Sequence, residues 1–250
     1  MALTDKLTAI ADAIRAKTGG TEPLTLDGMA EAIAGIEAGS GDYTNAQMTD
    51  LLRRDITEFT IPEGCTGVGD SAFRLCTKLA AVNFPSGFTV IGNTAFESCY
   101  ALALTQLPDT VTSIGTSAFS SCSSLPLAKL PDSLVTIGAS AFIYCRGLAV
   151  TQIPAGVTTI NDGAFKSCTS LTEITFKGTP TTIKSNAFYG CTALAKVTFA
   201  GTGTPTTMSN NVFYGCDNLL TINVPWAEGE VANAPWGATN ATINYNYVEG

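Results

Sequence analysis

Eight cysteines are the residues of this 250-residue chain best equipped for chemistry, and seven of them keep a fixed spacing. Cys76, Cys99, Cys122, Cys145, Cys168 and Cys191 recur every 23 residues, and Cys216 follows after 25. Thiols can pair as disulfides, ligate soft metals or act as nucleophiles. A zinc site draws on closely spaced pairs or on histidine, and the chain has no Cys-x-x-Cys pair and no histidine at all. The missing histidine also removes Ser-His-Asp and Cys-His nucleophilic machinery and the usual proton shuttle. Glu58 and Asp70 could form a carboxylate pair, but nothing in their spacing points to a cleft. There is no Gly-rich phosphate loop, since Gly201-Thr-Gly203 sits in a two-residue insertion and reads as a turn. Asn240-Ala-Thr242 fits a glycosylation acceptor, a pattern short enough to arise by chance. The expectation is a chain with no catalytic residues, no metal and no cofactor.

What the spacing does support is a column. Each cysteine follows a phenylalanine by three residues, at Phe73, Phe96, Phe119, Phe142, Phe165, Phe188 and Phe213. Each precedes a leucine by three, at Leu79, Leu102, Leu125, Leu148, Leu171, Leu194 and Leu219. A short fixed period means stacked units, each unable to bury its apolar side alone. Phe73 through Phe213 and Cys76 through Cys216, one of each per unit, are therefore the predicted core. Neighbouring thiols in such a file could come within disulfide reach, but a run of equivalent positions reads as small buried fillers. Cys65 stands apart, in the slot that Phe88, Val111, Leu134 and Val157 occupy.

Within one unit, Leu79-x-x-Val82-x-Phe84-Pro85 has the β-branched and aromatic character of a strand closed by proline. Val90-Ile91-Gly92 follows, then Ala95-Phe96-x-x-Cys99, which is too short for a long helix and reads as one helical or 3₁₀ turn. Seven phased copies of Leu-x-x-Val-x-Phe-Pro…Ile-Gly-x-x-Ala-Phe-x-x-Cys-x-x-Leu, over about residues 55–225, resemble the BspA-type leucine-rich repeat. The resemblance implies an α/β-type repeat solenoid, right-handed, with a parallel β-sheet on one face and short turns or 3₁₀ on the other. It implies no catalytic activity, and a bacterial surface adhesin or binding role.

The ends depart from the repeat. Leu3, Leu7, Ile10 and Ile14 have helical spacing, as do Met29, Ile33 and Ile36, so residues 1–40 read as a small helical hairpin. A pair this short must find a partner for its apolar stripes, either the first repeat or an assembly contact such as self-association. Residues 41–55 read as linker and a capping helix, 56–224 as the solenoid and 225–250 as a C-terminal cap holding Trp226 and Trp236. A second resemblance lies here. The opening 3–33 and the closing Ala234-Pro-Trp-Gly-Ala-Thr-Asn-Ala-Thr-Ile243 are similar to the ends of bacteriophage and prophage tail-associated proteins. It implies attachment to a tail protein through residues 1–40 and a virion assembled in the bacterial cytoplasm. The bacterial cell surface is the alternative, and a spacer or scaffold role is a third reading.

The net charge of −8 argues against nucleic acid and against anionic membrane surfaces. Eight acids against three bases precede residue 51, an excess that serves solubility. No stretch is long enough to span a membrane, and the first residues lack a basic start followed by an apolar run, so no secretory signal is expected. Expected partners are a cell-surface glycan or protein. Alternation along the strands places Thr60, Asn83, Gln106, Lys129, Gln152, Thr175, Thr198 and Asn223 in one outward row. A second row holds Glu58, Ala81, Leu104, Leu127, Val150, Glu173, Lys196 and Thr221. Asn83, Gln106, Lys129, Gln152 and Thr175 are the polar binding candidates. Leu104, Leu127 and Val150 are an apolar binding patch if exposed. If these strands are shifted by one residue, as Thr105, Ala128 and Thr151 in the usual apolar slot suggest, the three are buried instead.

Overall fold

The structure, a computed structural model, describes residues 56–248 together with the short strand Asp42–Tyr43. The predicted hairpin at 1–40 and the capping helix before residue 55 lie outside the described residues. From Ile56 onward the chain coils through stacked units with three kinds of wall. The first wall carries parallel strands that start from the leucine segments. Glu58–Thr60 pairs with Ala81–Asn83, and Gln152–Ile153, Glu173–Phe176, Lys196–Phe199, Thr221–Asn223 and Thr242–Asn244 form one five-stranded sheet. Equivalent residues face each other, as in Ile174 opposite Val197 and Val197 opposite Ile222. This is the predicted sheet, called sheet one below, and it is interrupted in the middle.

A second wall was not predicted as a sheet. The segments holding Val68, Ile91, Ile114, Ile137, Ile160, Ile183 and Met208 form two-residue parallel strands: Gly67–Val68, Val90–Ile91, Ser113–Ile114 and Thr136–Ile137, which Asp42–Tyr43 joins at one edge, and then Thr159–Ile160, Thr182–Ile183 and Thr207–Met208. The glycine after each early strand has a packing reason. A Cβ on Gly115 or Gly138 would lie 2.7 Å or 2.4 Å from the previous repeat's backbone. This close approach lets Gly115 N–H reach Ile91 O and Gly138 N–H reach Ile114 O, both at 2.8 Å. The next copy has Asn161 instead. There the sheet breaks, and the Asn161 side chain donates to Ile137 O at 2.8 Å.

The third wall corrects the expected helical or 3₁₀ turn. Residues such as 71–75 and 94–98 are hydrogen-bonded turns. Ser71, Leu75, Thr94, Ser98, Ser117, Ser121, Ser140, Tyr144 and Ser167 all have positive φ between 51° and 64°. A helix cannot run through a turn with a left-handed residue at each end, four positions apart. Between those two residues every second N–H points along the solenoid axis. Ser71, Phe73 and Leu75 donate to Asn93, Ala95 and Glu97 of the next unit at 2.7–2.8 Å. Thr94, Phe96 and Ser98 repeat the pattern toward Thr116, Ala118 and Ser120. All these bonds run from an earlier unit's N–H to a later unit's C=O.

The core lies between the walls. Phe73, Phe96, Phe119, Phe142, Phe165 and Phe188 stack with ring centroids 5.1–5.4 Å apart and planes within 8°. Strand spacing of about 4.8 Å imposes that repeat on identical side chains. Beyond the two-residue insertion the stack loosens, with Phe188 and Phe213 at 5.8 Å and 26°. Beside the rings, Cys99, Cys122, Cys145, Cys168, Cys191 and Cys216 each donate S–H to the phenylalanine carbonyl of the preceding unit at 2.9–3.1 Å. None of the eight cysteines forms a disulfide. Burial pushes the Cys122, Cys145, Cys168 and Cys191 thiols well above their usual range, and the Cys76 thiol beside Cys99 raises that one further. Cys65, in its separate slot, is half-buried.

The C-terminal segment closes the stack. Trp226 and Trp236 are buried in it, with Trp226 edge-on to Phe199 at 5.0 Å. Trp236 O accepts from Phe213 N–H at 2.9 Å and so completes the turn ladder. Thr242–Asn244 adds the last strand of sheet one, as the alternating pattern there predicts.

Candidate binding face and the seam beside it

The outward row of sheet one behaves differently along its length. Thr60, Asn83, Gln106, Lys129 and Gln152 are exposed, and Thr175 is half-buried. Thr198 and Asn223, expected in the same exposed row, are buried at 3% each. They are committed to a side-chain ladder in which Asn223 donates to Thr198 at 3.3 Å and Asn244 to Asn223 at 2.8 Å. Asn83 likewise donates to Thr60 at 3.1 Å. In the middle the ladder lapses: among the described residues the Gln106 and Gln152 amides have no protein partner. Lys129 turns aside to Asp132 at 2.8 Å, and that carboxylate raises its pKa. The middle of the row is thus the part with hydrogen-bonding capacity left for a ligand.

The apolar candidates resolve the other way. Leu104 is 8% exposed, and Leu127 and Val150 are fully buried, so they are core and not an interaction patch. The reason is a change in the order of inward residues. Flanking units read Leu-x-x-apolar-x-apolar, as in Leu79, Val82 and Phe84 or Leu194, Val197 and Phe199. The three middle units read Leu-x-apolar-x-x-apolar, as in Leu102, Leu104 and Leu107. The first order alternates sides and makes a strand; the second turns the residues two and five places after the leucine inward, which a pleated strand cannot do. Residues 104–107 and 127–130 accordingly form no strand. Thr105 and Ala128 point to solvent and Thr151 is half-buried.

Loss of the strand opens the wall. At a closed seam, Thr175 N–H reaches Thr151 O at 2.8 Å and Lys177 N–H reaches Ile153 O at 3.0 Å. Where Ala81–Asn83 meets the first middle unit, the main-chain link on this wall among the described residues is Ala103 N–H to Ala80 O at 2.9 Å. Beside it lies a cleft of about 450 Å³, lined by residues 80–84 and 103–109. The spacing of Leu104 against Thr105 signals the shift, but the missing ladder and the cleft are visible only once the units are stacked.

Comparison with known proteins follows from this architecture. Residues 52–168 and 136–233 match the BspA type leucine rich repeat region, in six copies. The chain belongs to that family. BspA-type repeats build binding scaffolds, and the match points to no catalytic family. Among solved structures, the chain is similar to a leucine-rich repeat protein from Bacteroides ovatus, with 22% identity over 76% of this chain and a TM-score of 0.48. It spans 61% of that protein's length. A T. pallidum leucine rich repeat protein is 30% identical over 66% of this chain and 68% of its own, with a TM-score of 0.46. A leucine rich cell surface protein from Faecalibacterium prausnitzii is 20% identical, covering 78% of this chain and 74% of its own, with a TM-score of 0.37. No curated protein matches the chain.

Proposed function

We propose that this BspA-type chain is a non-enzymatic recognition protein that holds a cell-surface protein or glycan on the outward face of sheet one. The observation that carries this reading is the uncommitted amide pair Gln106 and Gln152, on either side of Lys129, in the exposed middle of a row whose two ends are bonded to themselves. Amides present donors and acceptors together, as polar ligands require. The solenoid core fixes their spacing, so binding costs little ordering. Labelled full-length chain should bind bacterial cells, and replacing Gln106 and Gln152 by alanine should remove that binding without changing the thermal midpoint. Equal binding by the double variant sinks the reading.

The N-terminal resemblance to tail-associated proteins adds a proposal about display, with residues 1–40 attaching the solenoid to a particle or to further copies. Light scattering on the full chain and on residues 41–250 tests it. The same number of chains per particle in both removes self-association through that segment.

A further inference from the structure

The cleft beside Ala81–Asn83 is walled by main chain whose hydrogen-bonding groups have lost their neighbour. In a parallel ladder, alternate residues of a strand bond to opposite neighbours. Ala81 N–H takes Thr57 O at 3.3 Å, and Asn83 O receives Ile61 N–H at 2.9 Å, so these residues serve the preceding strand. Val82 and Phe84 therefore face the cleft, and among the described residues no main-chain group of the next unit reaches either. The residues that would have answered them are Gln106 and Pro108, and proline has no N–H to give. Unpaired strand edges recruit other strands. Here the edge lies inside the solenoid rather than at its end.

We propose that this seam binds an extended peptide segment of a partner protein, which adds as a strand to the outer edge of Ala81–Asn83. The inference rests on the recognition role above and narrows its ligand to a main chain in strand conformation. The N–H and C=O groups of Val82 and Phe84 repeat at about 6.8 Å, the two-residue step of a strand. A peptide edge offers the complement at that same step, which is how main-chain augmentation gains affinity. Spread along the roughly 16 Å of five extended residues, the cleft's volume of about 450 Å³ leaves room for one main chain with small side chains. Gln106 and Asn83 lie at its rim for side-chain contacts. Asp109 stands exposed at one end and no Lys or Arg lines the cleft, so the segment that fits carries a cation near that end.

The test uses the full chain and a displayed library of random decapeptides. Enriched peptides should carry Lys or Arg, and N-methylation at alternate residues should weaken them at least tenfold while the intervening positions tolerate it. The combined replacement Leu104→Thr, Thr105→Val and Leu107→Phe gives the first middle unit the flanking order and should close the seam and abolish peptide binding. Should that variant fail to fold, Asp109→Ala on the natural background serves, with at least a threefold loss expected for cationic peptides. Peptides indifferent to N-methylation, or bound equally by the closed-seam variant, overturn the proposal. So does a doubled mass by light scattering that the closed-seam variant loses, since the seam then holds a second copy. Cell binding that needs Gln106 and Gln152 but survives seam closure overturns the peptide site and leaves the recognition face standing.

Discussion

The middle and the flanks of sheet one share a core and differ in their skin. Both stack the same phenylalanines and the same thiols, and both keep the turn ladder from unit to unit. On the flanks, strands such as Glu173–Phe176 and Lys196–Phe199 are stitched along four residues. In the middle, single bonds remain, from Ala128 N–H to Thr105 O at 3.4 Å and from Ala149 N–H to Leu127 O at 3.0 Å. The fold survives because the turn wall, the packed interior and the second sheet, bridged at its break by the Asn161 side chain, hold each unit in place. One wall of three can therefore be released for contact with other molecules.

The largest expected effect tests the shared part. The thiols of Cys99, Cys122, Cys145, Cys168 and Cys191 have raised pKa values in the folded chain. An unfolded thiol ionises near pH 8.5 while these stay protonated, so their stabilisation is whole below that pH. It is lost as pH rises above it, by about 1.4 kcal/mol per pH unit for each thiol. Urea midpoints between pH 8 and 10 should fall steeply under reducing conditions. Cys122→Ala in the middle and Cys191→Ala on a flank should remove equal shares of the slope. Unequal shares would mean the two regions do not have one interior.

Next in size, Phe119→Ala should cost about 3–5 kcal/mol, and Phe188→Ala a similar amount, measured by chemical denaturation. A much smaller loss at Phe119 would show the middle to be loosely packed. Then comes a pair of positions that are equivalent in sequence and opposite in environment. Leu127→Ala should destabilise by about 2–5 kcal/mol, whereas Lys196→Ala in the same slot should stay within about 0.5 kcal/mol. Similar values for the two would erase the distinction between the two kinds of unit. The finest probe is amide exchange, which should be fast at Val82, Phe84 and Gln106 and slow at Thr175 and Lys177, as their hydrogen bonding dictates.

Much of this was legible in the chain itself because repetition multiplies a weak signal. One Phe-x-x-Cys-x-x-Leu is uninformative, while seven in phase identify the interior file, and all seven Phe–Cys pairs are buried. Three features resisted reading for physical reasons. The Ser-Ala-Phe turn looked helical because serine and alanine do not announce a left-handed backbone; at two equivalent positions Gly163 and Asn186 do. The second sheet was hidden because two-residue strands carry no periodicity. The cleft was hidden because it comes from a mismatch between neighbouring units, Leu79-x-x-Val82 against Leu102-x-Leu104, and not from any residue alone. Burial of Leu104, Leu127 and Val150 depends on the same mismatch.

The one-way ladder on the turn wall has an electrical consequence. From Ser71 to Phe213 its donors all aim at the later unit, so the peptide dipoles add along the axis as they do in a helix. The sense is reversed relative to the chain: partial positive charge gathers toward the C-terminal end, and the opposite sign toward the start. Two such columns meeting end to end attract head to tail and repel when like ends meet.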